Sequence, residues 1–229
     1  MIDGTFATTQ ALAPDRDRVT GRIKLGTESN GGFRRIVIRD CTFRRSRGLA
    51  LEMVDGGVLE DVTVSNLDME EVTTAPIFLR TGDRRRGPDG TGVGAVRRVR
   101  IAGLTATGID PRYPATIAGL PDSLVEDVTM RDIVLSYHGG GTAAQAAAVV
   151  PEMRDAYPEP SMFGVLPAHG LYIRHARRID VRGLEIRTEI PDVRPPVLIE
   201  DARAIRITRL AATGTPVIRD SRDISTEII

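Results

Sequence analysis

A chain of 229 residues, 41% of them hydrophobic, can fill one core of ordinary domain size without a metal or disulfide framework. Its 31 Lys and Arg balance 31 Asp and Glu, which excludes general electrostatic steering toward nucleic acid or membrane. No run approaches the roughly 20 apolar residues of a membrane helix, Met1 to Phe6 has no apolar signal core, and the lone Cys41 excludes an internal disulfide.

Aromatic residues are scarce and Trp is absent, while Val, Ile, Leu, Gly and Thr abound, so the expected class is all-β in a single domain, 1–229. In chain order, Arg22-Ile23-Lys24 reads as a first short strand. A nine-residue phrase, x-Φ-x-Φ-x-x-Φ-x-Φ, then recurs at Arg35 to Phe43, Asp61 to Met69, Arg98 to Ala106, Asp127 to Leu135, Arg178 to Ile186 and Ala204 to Ala212, with a partial copy from Asp223 to Ile229. The period-two alternation of its first half predicts a strand with one buried face. Asp40 and its equivalents predict a bend and a second short strand. Leu49 to Glu52, Ile77 to Arg80, Leu171 to Arg174 and Val197 to Glu200 predict a third strand per repeat.

Three short strands per repeat, stacked on the next repeat, predict a right-handed parallel β-helix. Equivalent positions then form columns: Ile36, Val62, Val99, Val128, Ile179, Ile205 and Ile224 in one, Cys41, Leu67, Leu104, Ile133, Leu184, Leu210 and Ile229 in another. Two long loop insertions interrupt the stack, Gly82 to Ala95 and Tyr137 to His169, the second with a short helix expected in Ala143 to Val150.

Aligning Arg22-Ile23-Lys24 with Ala50-Leu51-Glu52 and Phe78-Leu79-Arg80 turns Ile23, Leu51 and Leu79 into the core. Arg22, Lys24, Glu52, Phe78 and Arg80 are left on the outer face, with Lys24, Glu52 and Arg80 in one charged column. Such a column is either an ion-pair ladder or an anion site. Arg22 offers a planar fork for a carboxylate and Lys24 a compact charge beside it, a pair that suits an acidic sugar. The substrate-binding candidates are therefore Arg22, Lys24, Glu52 and Arg80.

Elsewhere, Arg84-Arg85-Arg86 reads as a solvated loop, and Gly139-Gly140-Gly141 as a flexible bend lacking phosphate-loop chemistry. His138, His169 and His175 lack metal-ligand spacing, so neither metal nor cofactor is expected. Phe78, Tyr113, Tyr157 and Phe163 are candidates for stacking on sugar rings.

Gly21-Arg22-Ile23-Lys24, then Gly31-Gly32 and Ile36-Val37-Ile38, is similar to the Arg-Ile-Lys segment of glycoside hydrolase family 28, the polygalacturonases. The stretches Gly26 to Phe33, Gly48 to Glu52, Pro76 to Arg80 and Tyr157 to Gly164 resemble a bacterial branch of that family. The resemblance implies a pectin-lyase-like solenoid and inverting hydrolysis of glycosidic bonds in galacturonate-containing pectin. It assigns Arg22 and Lys24 the role of gripping pectic polysaccharide or oligogalacturonate, and it implies a secreted or periplasmic location.

The Asn-x-Asp, Asp-Asp and Gly-His-Gly motifs that carry the family's catalysis occur nowhere in the chain, and Asp3 does not replace them. The chain therefore reads as the later part of such a glycosidase, truncated at its N-terminal end, with no catalytic residue of its own. A non-catalytic β-helix that binds acidic polysaccharide is the alternative. A pectate lyase is disfavoured because no carboxylates cluster as calcium ligands. Uncovered ends of the stack would promote self-association.

Overall fold

The computed structural model describes residues 19–229. Met1 to Phe6 and Asp3 therefore lie outside the described residues. Among these residues, fourteen strands form two seven-stranded sheets that are parallel throughout. The first holds short strands in the order β1 (Ile23–Leu25), β3 (Leu49–Met53), β5 (Ile77–Thr81), β7 (Ala115–Ala118), β9 (Leu171–Arg174), β11 (Val197–Glu200) and β13 (Val217–Arg219). The second holds long ones, β2 (Phe33–Arg44), β4 (Val58–Glu70), β6 (Ala95–Ile109), β8 (Val125–Gly139), β10 (Ala176–Ile190), β12 (Arg203–Ala211) and β14 (Arg222–Ile228). The chain alternates between sheets, so neighbours within each sheet lie two strands apart in sequence.

This two-sheet, all-parallel sandwich corrects the expected three-sheet, pectin-lyase-like β-helix. The nine-residue phrase does bend, but it does not divide into strands of separate sheets. Asp40, Asn66, Asp132 and Arg209 have φ of 54 to 56°, and Gly103 and Gly183 hold the same position with φ of 63 and 71°. Each left-handed residue is skipped by the ladder, which runs Arg39 to Ser65 and resumes at Cys41 to Leu67. Because the ladder runs on across the bend with only that residue unpaired, the two halves remain one strand of one sheet.

A second column of left-handed residues lies five residues earlier and contains Asp61, Arg98, Asp127, Arg178 and Ala204. Side chains from adjacent rungs meet there: Arg98 Nε donates to Asp61 Oδ1 at 2.8 Å and Arg178 Nε to Asp127 Oδ1 at 2.6 Å. At the other bend, Asn66 Nδ2 donates to Asp40 Oδ1 at 2.7 Å. A left-handed L-residue costs roughly 1–2 kcal/mol, so these polar ladders offset part of the strain at each bend.

The Ile36 column pairs in the expected register through to Ile224. The Cys41 column does so as far as Leu210, whose partner is Ile228 rather than Ile229, because a register shift intervenes after Ile207. Both columns face the space between the sheets, where Val62, Val99, Val128, Ile179 and Ile205 are at most 1% exposed.

The segment between β8 and β9 decides the fate of the first sheet's outer face. It contains α1 (Ala143–Ala146), whose Thr142 N-cap accepts from Gln145 N, and a 3₁₀ turn at Pro160–Phe163. Val150, Phe163, Leu166 and Ala168 pack on Ala50, Phe78, Tyr172 and Leu198, making a second apolar cluster outside the sandwich. With both faces covered, all five residues of β3 and of β5 are buried.

Candidate functional site

At the β1 end of the first sheet, alternation turns Ile23 and Leu25 toward the core and leaves Arg22 and Lys24 facing outward. Arg47 joins them from the turn before β3, its N–H donating to Gly21 O at 2.9 Å. Glu159, at the start of the 3₁₀ turn, reaches the same point from the covering segment.

The three cations converge on that carboxylate. Arg22 donates to it with both terminal nitrogens, Nη1 to Oε2 at 3.0 Å and Nη2 to Oε1. Arg47 Nη2 donates to Oε2 at 2.6 Å, and Lys24 Nζ stands 3.8 Å from Oε1. Arg22, Lys24 and Glu159 side chains are only 10 to 13% exposed, so solvent screens these contacts less than ordinary surface pairs. The arrangement is the fork-to-carboxylate geometry for which guanidinium is suited.

Lys24 is shared. Its Nζ is also 2.9 Å from Glu52 Oε2, while Glu52 Oε1 makes no hydrogen bond among the described residues. Burial pushes the Glu52 carboxyl up to about 7, against the opposing pull of Lys24 and then Arg22, with a smaller upward push from Glu159. Protonation of Glu52 below that pH therefore removes one negative charge from beside Lys24.

Tyr157 forms the rim. Its ring is half exposed, at 54%, with Lys24 Nζ 4.7 Å and the Arg84 guanidinium 5.3 Å from the centroid. Arg84 is itself held by Asp55 at 3.4 Å and Glu28 at 3.4 Å, and Arg86 by Glu28 at 2.9 Å. Of the triple arginine expected in a solvated loop, Arg85 and Arg86 are exposed, whereas the Arg84 side chain is only 3% exposed beneath the rim.

The structure brings Arg22, Lys24 and Glu52 together and separates Arg80 from them. The ladder places Lys24 opposite Ala50 and Glu52 opposite Arg80, so the expected column of Lys24, Glu52 and Arg80 is displaced by one alternation step at its first member. Arg80 lies beneath the covering segment, where its guanidinium donates to the carbonyls of Ala118, Gly119, Glu152 and Met153 at 2.8 to 3.4 Å. Burial lowers its pKa to about 10, and it ties the segment to the sheet.

Of the aromatic candidates, Phe78 and Phe163 belong to the second apolar cluster, and Tyr113 packs against it beneath Arg112. Of the four, Tyr157 is the most exposed, while Tyr113 is partly buried. Arg47 and Glu159 escaped sequence reasoning as site residues because Glu159 is separated from its partners by 112 to 137 positions. Their one visible mark is that each follows a short polar or Pro-rich turn.

No group of three or more His, Cys, Asp or Glu able to hold a metal occurs among the described residues. His169 Nδ1 bonds Arg194 O at 2.8 Å, His175 Nε2 lies 3.0 Å from Glu152, and His138 Nδ1 lies 2.8 Å from Glu189. No described helix is long and apolar enough to cross a membrane.

Searches of protein-family models, curated proteins and solved structures return no match to this chain. Together with the two-sheet topology, this overturns the resemblance to glycoside hydrolase family 28, and with it the assignment as a pectin-cleaving glycosidase. The blocks that carried the resemblance have a simpler account: Gly48 to Glu52 and Pro76 to Arg80 are adjacent rungs, and Tyr157 to Gly164 is the segment packed across them.

Proposed function

We propose that this chain is a binding module for a carboxylate-bearing saccharide, with Arg22, Lys24 and Arg47 as the carboxylate seat and Tyr157 as the surface on which a sugar ring rests. The observation that supports it is the grip on Glu159: the cluster already accepts a carboxylate through a paired Arg22 fork and a third cation. Its charge favours an acidic ligand, because three cations face at most two carboxylates. An exposed aromatic beside such a fork meets both demands of a uronate residue, an apolar ring face and an anionic substituent. Oligogalacturonate is the natural test ligand of this class.

The experiment is a titration of trigalacturonate against the same trisaccharide with its carboxyls reduced to alcohols. Binding of the acid form alone, weakening as salt rises, is expected. Equal binding of both forms, or of neither, would overturn the proposal and leave the cluster as an internal clamp.

A further inference from the structure

Glu159 comes to the cationic cluster as a substituent on the covering segment, and the manner of its attachment sets it apart from the rest of that segment. Val150, Phe163 and Leu166 are buried in the second apolar cluster, and Arg80 holds the Glu152 and Met153 carbonyls. Between those fastenings, Asp155 and Tyr157 are exposed. Pro158 and Pro160 are buried on either side of Glu159, which fixes the backbone there while its side chain extends into the cluster.

Among the described residues the backbone of 157–159 makes no backbone-to-backbone hydrogen bond to β1 or β3; its one link to β1 is the Pro158 carbonyl, which accepts from Lys24 Nζ at 3.5 Å. The Glu159 carbonyl is turned back to accept from Met162 N at 2.9 Å. Contact with the β1 rung is carried by side chains: the carboxylate on Arg22, Lys24 and Arg47, and the Lys24 ammonium 3.5 Å from Tyr157 Oη and from Pro158 O. Rotation of one glutamate side chain would therefore empty the seat without unpairing a strand or opening the apolar cluster.

We propose that Glu159 is an internal occupant of the carboxylate seat, a self-competitor that an incoming saccharide carboxylate must displace from Arg22 and Arg47. This rests on the binding role proposed above. The two carboxylates are alternatives for the same donors, because Arg22 presents both its terminal nitrogens to Glu159 and Arg47 closes on Oε2 from the other side. Affinity in the natural chain is then the intrinsic affinity multiplied by the fraction of molecules in which Glu159 has left the seat. A flexible acidic side chain on a fixed backbone sets that fraction.

The test compares trigalacturonate binding by the wild-type chain and by Glu159→Gln, which keeps the shape and removes the charge. Binding about tenfold tighter or more in the variant is expected, together with a larger ligand-induced rise in unfolding temperature. Wild-type binding that Glu159→Gln leaves unchanged or weakens would overturn the competition while the saccharide role stands. Absence of binding by both proteins would overturn both. Binding by the variant alone would overturn the binding role of the natural chain, with Glu159 acting as a permanent internal clamp, and would overturn with it the displacement proposed here. Should Glu159→Gln fail to fold, Glu159→Asp, which keeps the charge but shortens the reach, is expected to bind more tightly than wild type by a smaller factor. An unchanged affinity there would equally overturn the proposal.

Discussion

Lys24 stands opposite Ala50 in the β1–β3 ladder, yet its ammonium crosses diagonally to Glu52 and ends 2.9 Å from Oε2. One lysine thereby neutralises part of a fully buried carboxyl while also lying 3.8 Å from Glu159, so the two acidic groups of the site compete for a single charge. The behaviour of the site follows from that sharing.

Stability should carry the signature of Glu52. Its ordinary value of 4.5 rises to about 7 in the folded state, chiefly through burial, with Lys24, Arg22 and Glu159 the charged groups that face it. Between those two values the folded chain keeps a proton that the unfolded chain has released. Stability therefore falls as pH rises through this window and levels off above it, by about 3 kcal/mol in all. Glu52→Gln should flatten this part of the profile and gain on the wild type above neutrality. Urea unfolding between about pH 4 and pH 8 measures it, and parallel profiles would contradict the burial argument.

Arg80 should behave as a structural tie. Arg80→Met removes the donors to four carbonyls, of Ala118, Gly119, Glu152 and Met153, beneath the covering segment. The expected loss is roughly 3 kcal/mol or more, with only partial recovery in Arg80→Lys, whose compact ammonium cannot span the same acceptors. A denaturation midpoint close to wild type in Arg80→Met would show that the carbonyls find other partners.

The bends make a separate prediction about glycine. At Gly103, φ is +63° and an added Cβ would come no closer than 3.7 Å to Asn66 N, so Gly103→Ala should cost only the conformational penalty, about 1–2 kcal/mol. At Gly119 the added carbon would sit 2.2 Å from His175 O, and Gly119→Ala should cost more because backbone must move. Conversely, Ala204 has φ of 54°, and Ala204→Gly should be neutral or stabilising by up to about 1 kcal/mol. Thermal unfolding of the three variants ranks them directly, and a costlier Gly103→Ala than Gly119→Ala would refute the distinction.

Both sheets finish at the same end, on β13 and β14, each paired on one side only among the described residues. Ile218, Ile228 and Ile229 are 45 to 70% exposed there. An open parallel edge with exposed isoleucines invites a second copy of the chain. Sedimentation velocity should show association that grows with concentration and is suppressed by Ile228→Lys. A monomer at all concentrations in the unsubstituted chain would count against this edge as a contact.

Much of the fold was legible in the repeat. The apolar columns from Ile36 to Ile224 and from Cys41 to Leu210 were set by alternation, which fixes the face of every residue once a strand is assigned. The division into sheets was not, because Asp40 and Asn66 mark a bend whether or not pairing resumes with the same neighbour beyond it. At the site, Arg22 and Lys24 were visible as two cations on one strand face. Aligning Lys24 with Glu52 and Glu52 with Arg80 implies a spacing of 28 at both steps, which holds for the β3–β5 pair, whereas the offset of the β1–β3 pair is 26. Alternation puts Arg80 on the outer face, and nothing local announces that the segment after β8 folds back over it.

The central claim, that the Arg22, Lys24 and Arg47 cluster is a seat for an external carboxylate, meets its most direct test in a calorimetric titration of trigalacturonate into the wild-type chain and into a folded Arg22→Ala variant at low salt. The account predicts measurable binding by the former and at least a tenfold loss in the latter, as expected for removal of a charge-assisted fork. Indistinguishable affinities in the two proteins would contradict it.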